Sequence, residues 1–179
     1  MLRNLFKSRP SRQVAERLYA ACAAQARLPV FYTDIGVPDR IDARFELYTL
    51  HVLLMILRLR DEGQAGADTA QDLFDTYVSA LDNTLRELGV GDVAVGKKMR
   101  RLGEAMYGRM TAYEKAILAG DDQGLAAALS RNILESDAAT PEMRAMADYA
   151  LRARAALGDQ PFDAVMTSPA WAEPTLAAA

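Results

Sequence analysis

The apolar residues of this chain are spaced by three or four positions, and this spacing restricts its fold more than any other feature. The clearest example is the stripe Leu73, Phe74, Tyr77, Val78, Leu81, Leu85 and Leu88. Residues with this spacing share one face of an α-helix. No segment shows the apolar and polar alternation of a half-buried strand, and no hairpin dipeptide joins two such segments. The sequence therefore predicts an all-α protein.

We expect a single-domain bundle of about six helices, with a central helix near residues 42–62. The predicted helices cover residues 12–27, 42–62, 68–88, 92–119, 122–134 and 141–157. Three domain segments are predicted: a basic N-terminal segment (1–11), a helical domain (12–158) and a proline- and alanine-rich tail (159–179). The tail is expected to be loosely held, with Phe162 or Trp171 as its docking residues.

Several helix ends carry recognisable signals. Asp68 followed by Gln71 forms a capping-box pattern, Asp121 and Asp122 suit the start of a helix, and Thr140 with Pro141 forms an N-cap with proline at the first helical position. Between the helices, residues 28–41 are too apolar for a floppy linker and should pack. The sequence GQAGA, residues 63–67, predicts a short flexible connection.

Composition excludes several classes of site. Apolar residues make up 51% of the 179 residues, which is enough for a buried core. The net charge of −3 does not suit a protein that binds polyanions with its whole surface. One cysteine and one histidine cannot form an internal disulfide or a Cys/His metal centre. We therefore expect neither a metal nor a cofactor. The most apolar run, residues 52–57, is far below the ~20 residues of a spanning helix.

Catalytic motifs are not apparent. The sequence has no nucleophile elbow, phosphate-cradling glycine loop, HExxH motif or paired CxxC motif. An isoprenoid-processing enzyme of the all-helical type would need aspartate-rich motifs on facing helices, which this chain lacks. We therefore predict a protein that is not an enzyme and has no catalytic residue.

The only histidine of the chain lies in a polar seam on the predicted central helix. Arg44, His51 and Arg58 are spaced by seven residues, which returns a helix to within about 20° of its starting direction. Two interpretations remain open. The seam is a narrow solvent-exposed stripe on a well-packed helix, which is the commoner case, or a polar groove for a partner or an anionic ligand.

Two basic patches stand out against the acidic background. Residues 1–12 combine basic side chains with Leu2, Leu5 and Phe6, so they predict either an amphipathic contact with an anionic membrane or a disordered terminus. The second patch, KKMRR at residues 97–101, is extended by Arg109 on the outer surface of its predicted helix. It suits RNA phosphates, lipid headgroups or an acidic protein, and equally an ordinary solvated helix face.

Two long stretches resemble one protein family. They are RLPVFYTDIGVPDRIDARFELYTLHVLLMILRL (27–59) and QDLFDTYVSALDNTLRELGVGDVAVGKKMRRLGEAMYGRMTAYEKAI (71–117). Both are similar to the ubiquinol–cytochrome c chaperone family, the bacterial relatives of the mitochondrial assembly factors for respiratory complex III. The pattern LRELGVGD, VGKKM, YGR and AY is specific to that family, and the resemblance covers roughly residues 18–118.

The resemblance implies a non-catalytic, all-helical protein, and the alanine- and arginine-rich composition suggests a bacterial chain. The mitochondrial relatives bind newly made cytochrome b and the ribosome, together with a small helical partner protein. The expected function is therefore an assembly chaperone that binds cytochrome b during biogenesis of ubiquinol–cytochrome c reductase. It would be cytoplasmic, with peripheral contact at the inner membrane. The alternative is a helical lipid- or haem-binding protein at the inner membrane surface.

Fourteen residues are candidate partner-binding positions, taken from the family pattern, the polar seam and the second basic patch. They are Phe31, Tyr32, Asp39, Arg44, His51, Arg58, Arg86, Asp92, Lys97, Lys98, Arg101, Tyr107, Arg109 and Tyr113. Methionines adapt well to irregular apolar partners, so Met99, Met106 and Met110 suit a client-binding helix, although most methionines fill cores.

Overall fold

The computed structural model describes residues 10–87 and 92–175, and within helix 92–119 it leaves the side chains of 92–98 and 100–102 undescribed. The described chain is helical and contains no strand, which confirms the all-α prediction. Its elements are α1 (Pro10–Ala26), α2 (Val30–Thr33), α3 (Ile41–Asp61), α4 (Gln64–Glu87), α5 (Asp92–Ala119), α6 (Asp122–Leu129), the π-helix π1 (Ser130–Leu134), α7 (Pro141–Gly158) and α8 (Phe162–Thr167).

Helix α3 is the centre of the bundle, as predicted. Every residue from Thr49 to Leu59 is buried, because α3 packs against α1, α4, α5, α7 and π1. An apolar stripe on one side would leave the opposite side exposed, whereas α3 is apolar on two flanks and is covered on both. Within the described residues, no helix combines the length and apolar character needed to cross a bilayer.

The connection between α3 and α4 is a tight turn, so the predicted flexible linker and the predicted helix start at Asp68 are both wrong. Gly63 ends α3 with a φ of 57°, a conformation that favours glycine, and α4 begins at the next residue. A Cβ atom on Gly66 would lie 1.9 Å from the Leu59 carbonyl oxygen, so only glycine permits this close approach. Gln71 donates a hydrogen bond to Asp75 inside the helix and caps nothing.

The caps of α6 and α7 are confirmed. Asp121 accepts a hydrogen bond from the Gly124 amide at 2.8 Å, and Thr140 accepts one from the Met143 amide at 3.3 Å. Helix α6 continues into π1, which ends at Glu135 in the left-handed conformation with a φ of 55°.

Two segments outside the predicted helices, residues 28–41 and 159–175, are packed against the bundle. Phe31, Ile35 and Val37 are buried, which confirms the packed loop. The expectation of a loosely held tail is wrong, because α8 buries Val165 and the following residues lie on the bundle. Phe162 and Trp171 both dock against the core, as the sequence suggested.

Candidate functional site

His51 lies fully buried on α3, and its two ring nitrogens both have partners. Nδ1 lies 2.7 Å from the Leu47 carbonyl oxygen, and Nε2 lies 2.9 Å from the Tyr149 hydroxyl. A carbonyl oxygen only accepts, so Nδ1 carries the proton and Nε2 accepts from Tyr149. Gln25 in turn donates to the Tyr149 hydroxyl at 3.0 Å. Burial lowers the pKa of His51 to about 4, against the opposing effect of the Leu47 hydrogen bond, so the ring is neutral at physiological pH.

Three aromatic rings surround His51. The Phe31, Tyr149 and Trp171 ring centroids lie 5.5, 5.6 and 5.3 Å from the imidazole centroid. Cys22 donates from its thiol to the His51 carbonyl oxygen at 3.6 Å, and burial raises the pKa of this thiol far above its ordinary value. Because the cluster is neutral and internally hydrogen-bonded, its direct role is to join α1, α2, α3 and α7.

Arg58 is also buried, with 3% of its surface exposed. Its Nε donates to the Leu157 carbonyl at 2.8 Å, and its Nη2 donates to the Gln160 carbonyl at 3.0 Å. The third contact is an ion pair with Glu62 at 2.8 Å. A cation near the last carbonyls of a helix satisfies free acceptors and interacts favourably with the helix dipole. Arg58 therefore ties α3 to the C-terminal end of α7.

Of the three residues in the polar seam, Arg44 alone faces solvent. It pairs with Asp39, whose pKa it holds below the ordinary value, and its guanidinium lies 5.6 Å from the Tyr32 ring centroid. The interpretation of the seam as a solvent-exposed stripe is therefore wrong. Helical periodicity places His51 and Arg58 on the same face of α3 as Arg44. However, α7 and the tail cover His51 and Arg58 and leave Arg44 exposed.

The opposite side of α3 carries a buried carboxylate, Glu46, with 1% of its surface exposed. Its Oε1 lies 2.6 Å from Nη1 of Arg109, and its Oε2 accepts from the Tyr113 hydroxyl at 2.9 Å. Asn132 on π1 donates to the same hydroxyl at 2.9 Å. Burial raises the pKa of Glu46 to about 7, although Arg109 and the Tyr113 hydrogen bond oppose this shift and Asp42 adds to it.

This cluster corrects two expectations. Arg109 does not extend a basic patch over the outer surface, since its guanidinium turns inward to Glu46. Tyr113 is fully buried and serves as a hydrogen-bonding bridge between α3 and π1. Glu46 was not among the candidate residues. The periodicity of α3 places it on a polar face, but it does not show that Arg109, 63 positions later in the sequence, contacts it.

A neutral pair continues this side of α3. Thr49 donates to the Phe45 carbonyl at 2.9 Å and lies 2.7 Å from the Tyr77 hydroxyl. Since the Thr49 proton is used on the carbonyl, Tyr77 donates to Thr49. Burial raises the pKa of Tyr77 well above its ordinary value, so the phenol stays neutral.

Four half-buried aromatic residues form a surface across α1, α2 and α3, which we call the aromatic face: Tyr19, Tyr32, Phe45 and Tyr48. The Tyr19 and Phe45 rings lie 6.2 and 6.4 Å from the buried Tyr77 ring.

Three arginines stand over these rings. Arg27 lies 5.5 Å from the Tyr48 centroid and donates to its hydroxyl, Arg44 stands over Tyr32, and Arg109 lies 5.6 Å from the Phe45 centroid. Aromatic and arginine side chains are the residue types enriched at protein interfaces and at their energetic centres. The aromatic face is therefore suited to holding an apolar partner.

The structure brings only part of the predicted partner-binding set to this surface. Tyr32, Asp39, Arg44 and Arg109 lie on or beside the aromatic face, whereas Phe31, His51, Arg58 and Tyr113 are buried scaffolding in this structure. Tyr107 is 76% exposed on α5, and Arg86 donates to Asp82 at 2.7 Å near the end of α4. The side chains of Asp92, Lys97, Lys98 and Arg101 lie outside the described residues, as do residues 1–9.

Sequence reasoning missed Tyr19, Phe45 and Tyr48 as surface residues. Phe45 and Tyr48 lie on an apolar flank of α3, which periodicity assigns to the core. The available signal was their aromatic character at the edge of that flank, close to Arg44.

Known proteins resemble this chain in sequence and in structure. The family described as ubiquinol–cytochrome C chaperone matches residues 33–172. Ubiquinol-cytochrome-c reductase complex assembly factor 1 of Xenopus laevis is 28% identical over 127 residues, which cover 71% of this chain and 63% of the relative. The Homo sapiens protein of that name is 27% identical over 127 residues, covering 71% of this chain and 42% of the relative. The chain thus spans about half the length of these relatives.

A crystal structure of the Cbp3 homolog from Brucella abortus shares the fold, with a TM-score of 0.80. The two chains are 34% identical, and the match covers 91% of each. The similarity therefore extends over most of the helical bundle.

Proposed function

This chain belongs to the ubiquinol–cytochrome c chaperone family, and from that premise we propose that it is an assembly chaperone for respiratory complex III. We propose further that its client is newly made cytochrome b and that the client is held on the aromatic face. The names of the relatives support the first part, since they are assembly factors of the ubiquinol–cytochrome c reductase complex.

The observation that carries the client proposal is the aromatic face itself. Tyr19 and Phe45 are large, half-buried rings that pack against Tyr77, and Tyr48 is held by Arg27, so little side-chain entropy is lost when a partner covers them. A cytochrome b chain emerging from synthesis is very apolar and needs cover of this kind. The arginines at the rim add hydrogen bonds to polar groups of the client without closing the surface.

We propose that this role involves no catalysis. His51, Glu46 and Tyr113 are the strongest candidates for acid–base chemistry, and all three are buried and use their polar atoms on neighbours inside the protein. In the part of the chain that the structure describes, no three potential ligands converge on a metal position. The relatives carry the names of assembly factors, in agreement with a binding role.

The alternative of a haem-binding protein receives no support from the histidine. Both nitrogens of His51 are engaged, and reaching either one requires breaking the contact with Leu47 or Tyr149. The ribosome and a small helical protein remain proposed additional partners. Peripheral contact with the inner membrane through residues 1–12 also remains a proposal, because most of that segment lies outside the described residues.

The test uses a strain that lacks this protein and is complemented with variants. Loss of complex III on deletion, with recovery by the wild-type gene, is the expected result, and normal complex III in the deletion strain would refute the chaperone role. Copurification of cytochrome b with the tagged protein tests the client directly.

A variant with Phe45→Ser and Tyr48→Ser tests the aromatic face. We expect recovery of cytochrome b to fall at least tenfold, because truncating two anchors at the centre of an interface costs about 1.4 kcal/mol or more. The matched control is Leu118→Ser, which removes a 62% exposed apolar side chain far along α5. If the control and the face variant recover cytochrome b equally well, the client binds elsewhere, while the family role stands.

A further inference from the structure

Residues 168–175 follow α8 without regular secondary structure and lie along the bundle beside α3 and α7. We call this segment, SPAWAEPT, the C-terminal strap. The Gln160 side-chain amide pairs with Ala170 in both directions, donating to its carbonyl at 2.8 Å and accepting from its amide at 2.8 Å. Arg152 donates to the Glu173 carbonyl at 2.9 Å and to the Thr175 hydroxyl at 3.4 Å.

Most of these polar anchors contact the backbone of the strap. Three of the four hydrogen bonds end on the main chain of Ala170 or Glu173, so they do not depend on which side chains the strap carries. Side-chain selectivity comes from two other positions. Trp171 makes a T-shaped contact with the His51 ring, with 5.3 Å between the centroids, and Pro174 is buried. Backbone anchors combined with side-chain pockets are how proteins recognise extended peptides.

His51 and Tyr149 form the floor beneath Trp171, and their polar groups have hydrogen-bond partners without the strap. His51 bonds to Leu47 and Tyr149, and Tyr149 also accepts from Gln25, so no buried hydrogen bond of the floor ends on the strap. The anchors Gln160 and Arg152 are partly exposed, and they keep the Ala156 carbonyl and Asp148 as partners. Release of the strap therefore costs the apolar contacts of Trp171, Ala172 and Pro174, with no buried polar group left unpaired.

We propose that the strap occupies a peptide-binding groove of its own chain, and that the groove accepts an extended segment of a partner protein that carries an aromatic residue followed three residues later by a proline. The strap is the template for this chemistry, since its own Trp171 and Pro174 are seated at that spacing. It also competes with the partner, so the groove is open only for the fraction of time during which the strap is released.

The chain contains a single tryptophan, so its fluorescence reports the strap directly. The protein is titrated with the peptide SPAFAEPT, which has phenylalanine in place of tryptophan and does not interfere with the signal. We expect the Trp171 emission to shift to longer wavelength and to become more accessible to acrylamide as the peptide replaces the strap. The control is a peptide of the same composition in scrambled order, which should leave the emission unchanged.

A second measurement follows fluorescein-labelled SPAWAEPT by anisotropy. Trp171→Ala weakens the competing strap, so we expect this variant to bind the peptide at least about tenfold more tightly than the wild-type protein does. Adding Gln160→Ala should reverse much of that gain, because Gln160 anchors the peptide as well as the strap. Gln123→Ala, on an exposed residue of α6, is the matched control and should change nothing.

Three results would overturn the proposal. The first is no displacement of Trp171 by millimolar peptide, which makes the strap a fixed part of the fold. The second is equal binding of the ordered and scrambled peptides, which removes the sequence requirement. The third is concentration-dependent dimers in which Trp171 remains seated, since the occupant would then be the strap of a second copy.

Discussion

The two sides of α3 bury polar groups in different ways. On the side of His51 and Arg58, the partners are mostly backbone carbonyls and a neutral phenol, all fixed by packed helices. On the other side, the buried carboxylate of Glu46 forms an ion pair with Arg109, which is itself partly exposed. The first arrangement holds over a wide pH range above the pKa of His51, whereas the second changes with the protonation of a single carboxyl group.

The difference separates scaffolding from a surface that can respond. Arg109 pairs with Glu46 and at the same time stands over Phe45 of the aromatic face. The protonation state of Glu46 therefore bears on the surface at which we place the client. Arg58 also contacts an exposed residue, Glu62, but its contacts with Leu157, Gln160, Glu62 and the ring of Phe162 include no residue of the aromatic face.

The largest expected effect is loss of Arg58. Replacing it by methionine keeps much of the volume but leaves the Leu157 and Gln160 carbonyls without a donor. We expect the free energy of unfolding to fall by about 3 kcal/mol, measured by urea denaturation. Arg44→Met, seven residues earlier on the same seam, removes an exposed ion pair and should cost less than about 1 kcal/mol. Equal losses in the two variants would contradict the division between buried and exposed parts of the seam.

The next effect is the pH dependence that His51 produces. Its pKa is about 4 in the folded protein and near 6.5 in the unfolded chain, so the unfolded state takes up the proton first. This contribution to stability is fully present above pH 6.5 and is lost as pH falls towards 4. In Glu46→Gln, where only His51 remains of the two groups, we expect stability to drop by about 2 kcal/mol between pH 7 and pH 5.

Glu46 should produce the opposite slope. Its folded pKa is about 7 and its ordinary value is 4.5, so the folded state holds the proton more tightly. The contribution is fully present below pH 4.5 and is lost as pH rises through 7. In His51→Phe we therefore expect stability to fall by about 2 kcal/mol between pH 5 and pH 8. The wild-type protein, with both groups, should change less than either variant over the shared range, and slopes of the same sign in both variants would contradict this assignment.

Much of the fold follows from apolar spacing alone, because α3, α5 and α6 with π1 lie where the periodicity predicts them. The start of α4 does not follow from local sequence signals. The capping-box pattern predicts a start at Asp68, but the helix begins four residues earlier, directly after the turn at Gly63. Helix signals describe short-range preferences, and the close approach of Gly66 to Leu59 decides the turn.

The site was less predictable, for a physical reason. Periodicity shows that Arg44, His51 and Arg58 share a direction, but it cannot show that residues around 149–171 cover two of them. The Glu46–Arg109 pair joins residues 63 positions apart, and local pattern carries no information about such a contact. The family resemblance gave Tyr32, Arg44 and Arg109 as candidate partner-binding positions without distinguishing them from the buried Phe31 and Tyr113.

An effect of similar size at pH 8 is expected from Arg109→Ala, and it should become smaller at lower pH. At pH 8 the variant leaves a buried carboxylate without its cation, and we expect a loss of about 2 kcal/mol in the free energy of unfolding. At pH 5 Glu46 is protonated, and the loss should be less than half as large. The matched control is Arg60→Ala, which removes an exposed ion pair between α3 and Glu114 on α5. If Arg60→Ala shows the same pH dependence as Arg109→Ala, burial of Glu46 is not its cause.

The smallest effect distinguishes charge from burial as the source of pH sensitivity. Thr49 and Tyr77 are as deeply buried as Glu46 and lie on the same side of α3, but both are neutral over the physiological range. Thr49→Val should cost about 1 kcal/mol, because the Tyr77 hydroxyl loses its acceptor, and Tyr77→Phe in the same chain should restore part of that loss. The cost should be the same at pH 5 and pH 8. A pH-dependent cost would mean that the Thr49 pair is coupled to Glu46 one turn away, and that this side of α3 responds to protons as a connected network.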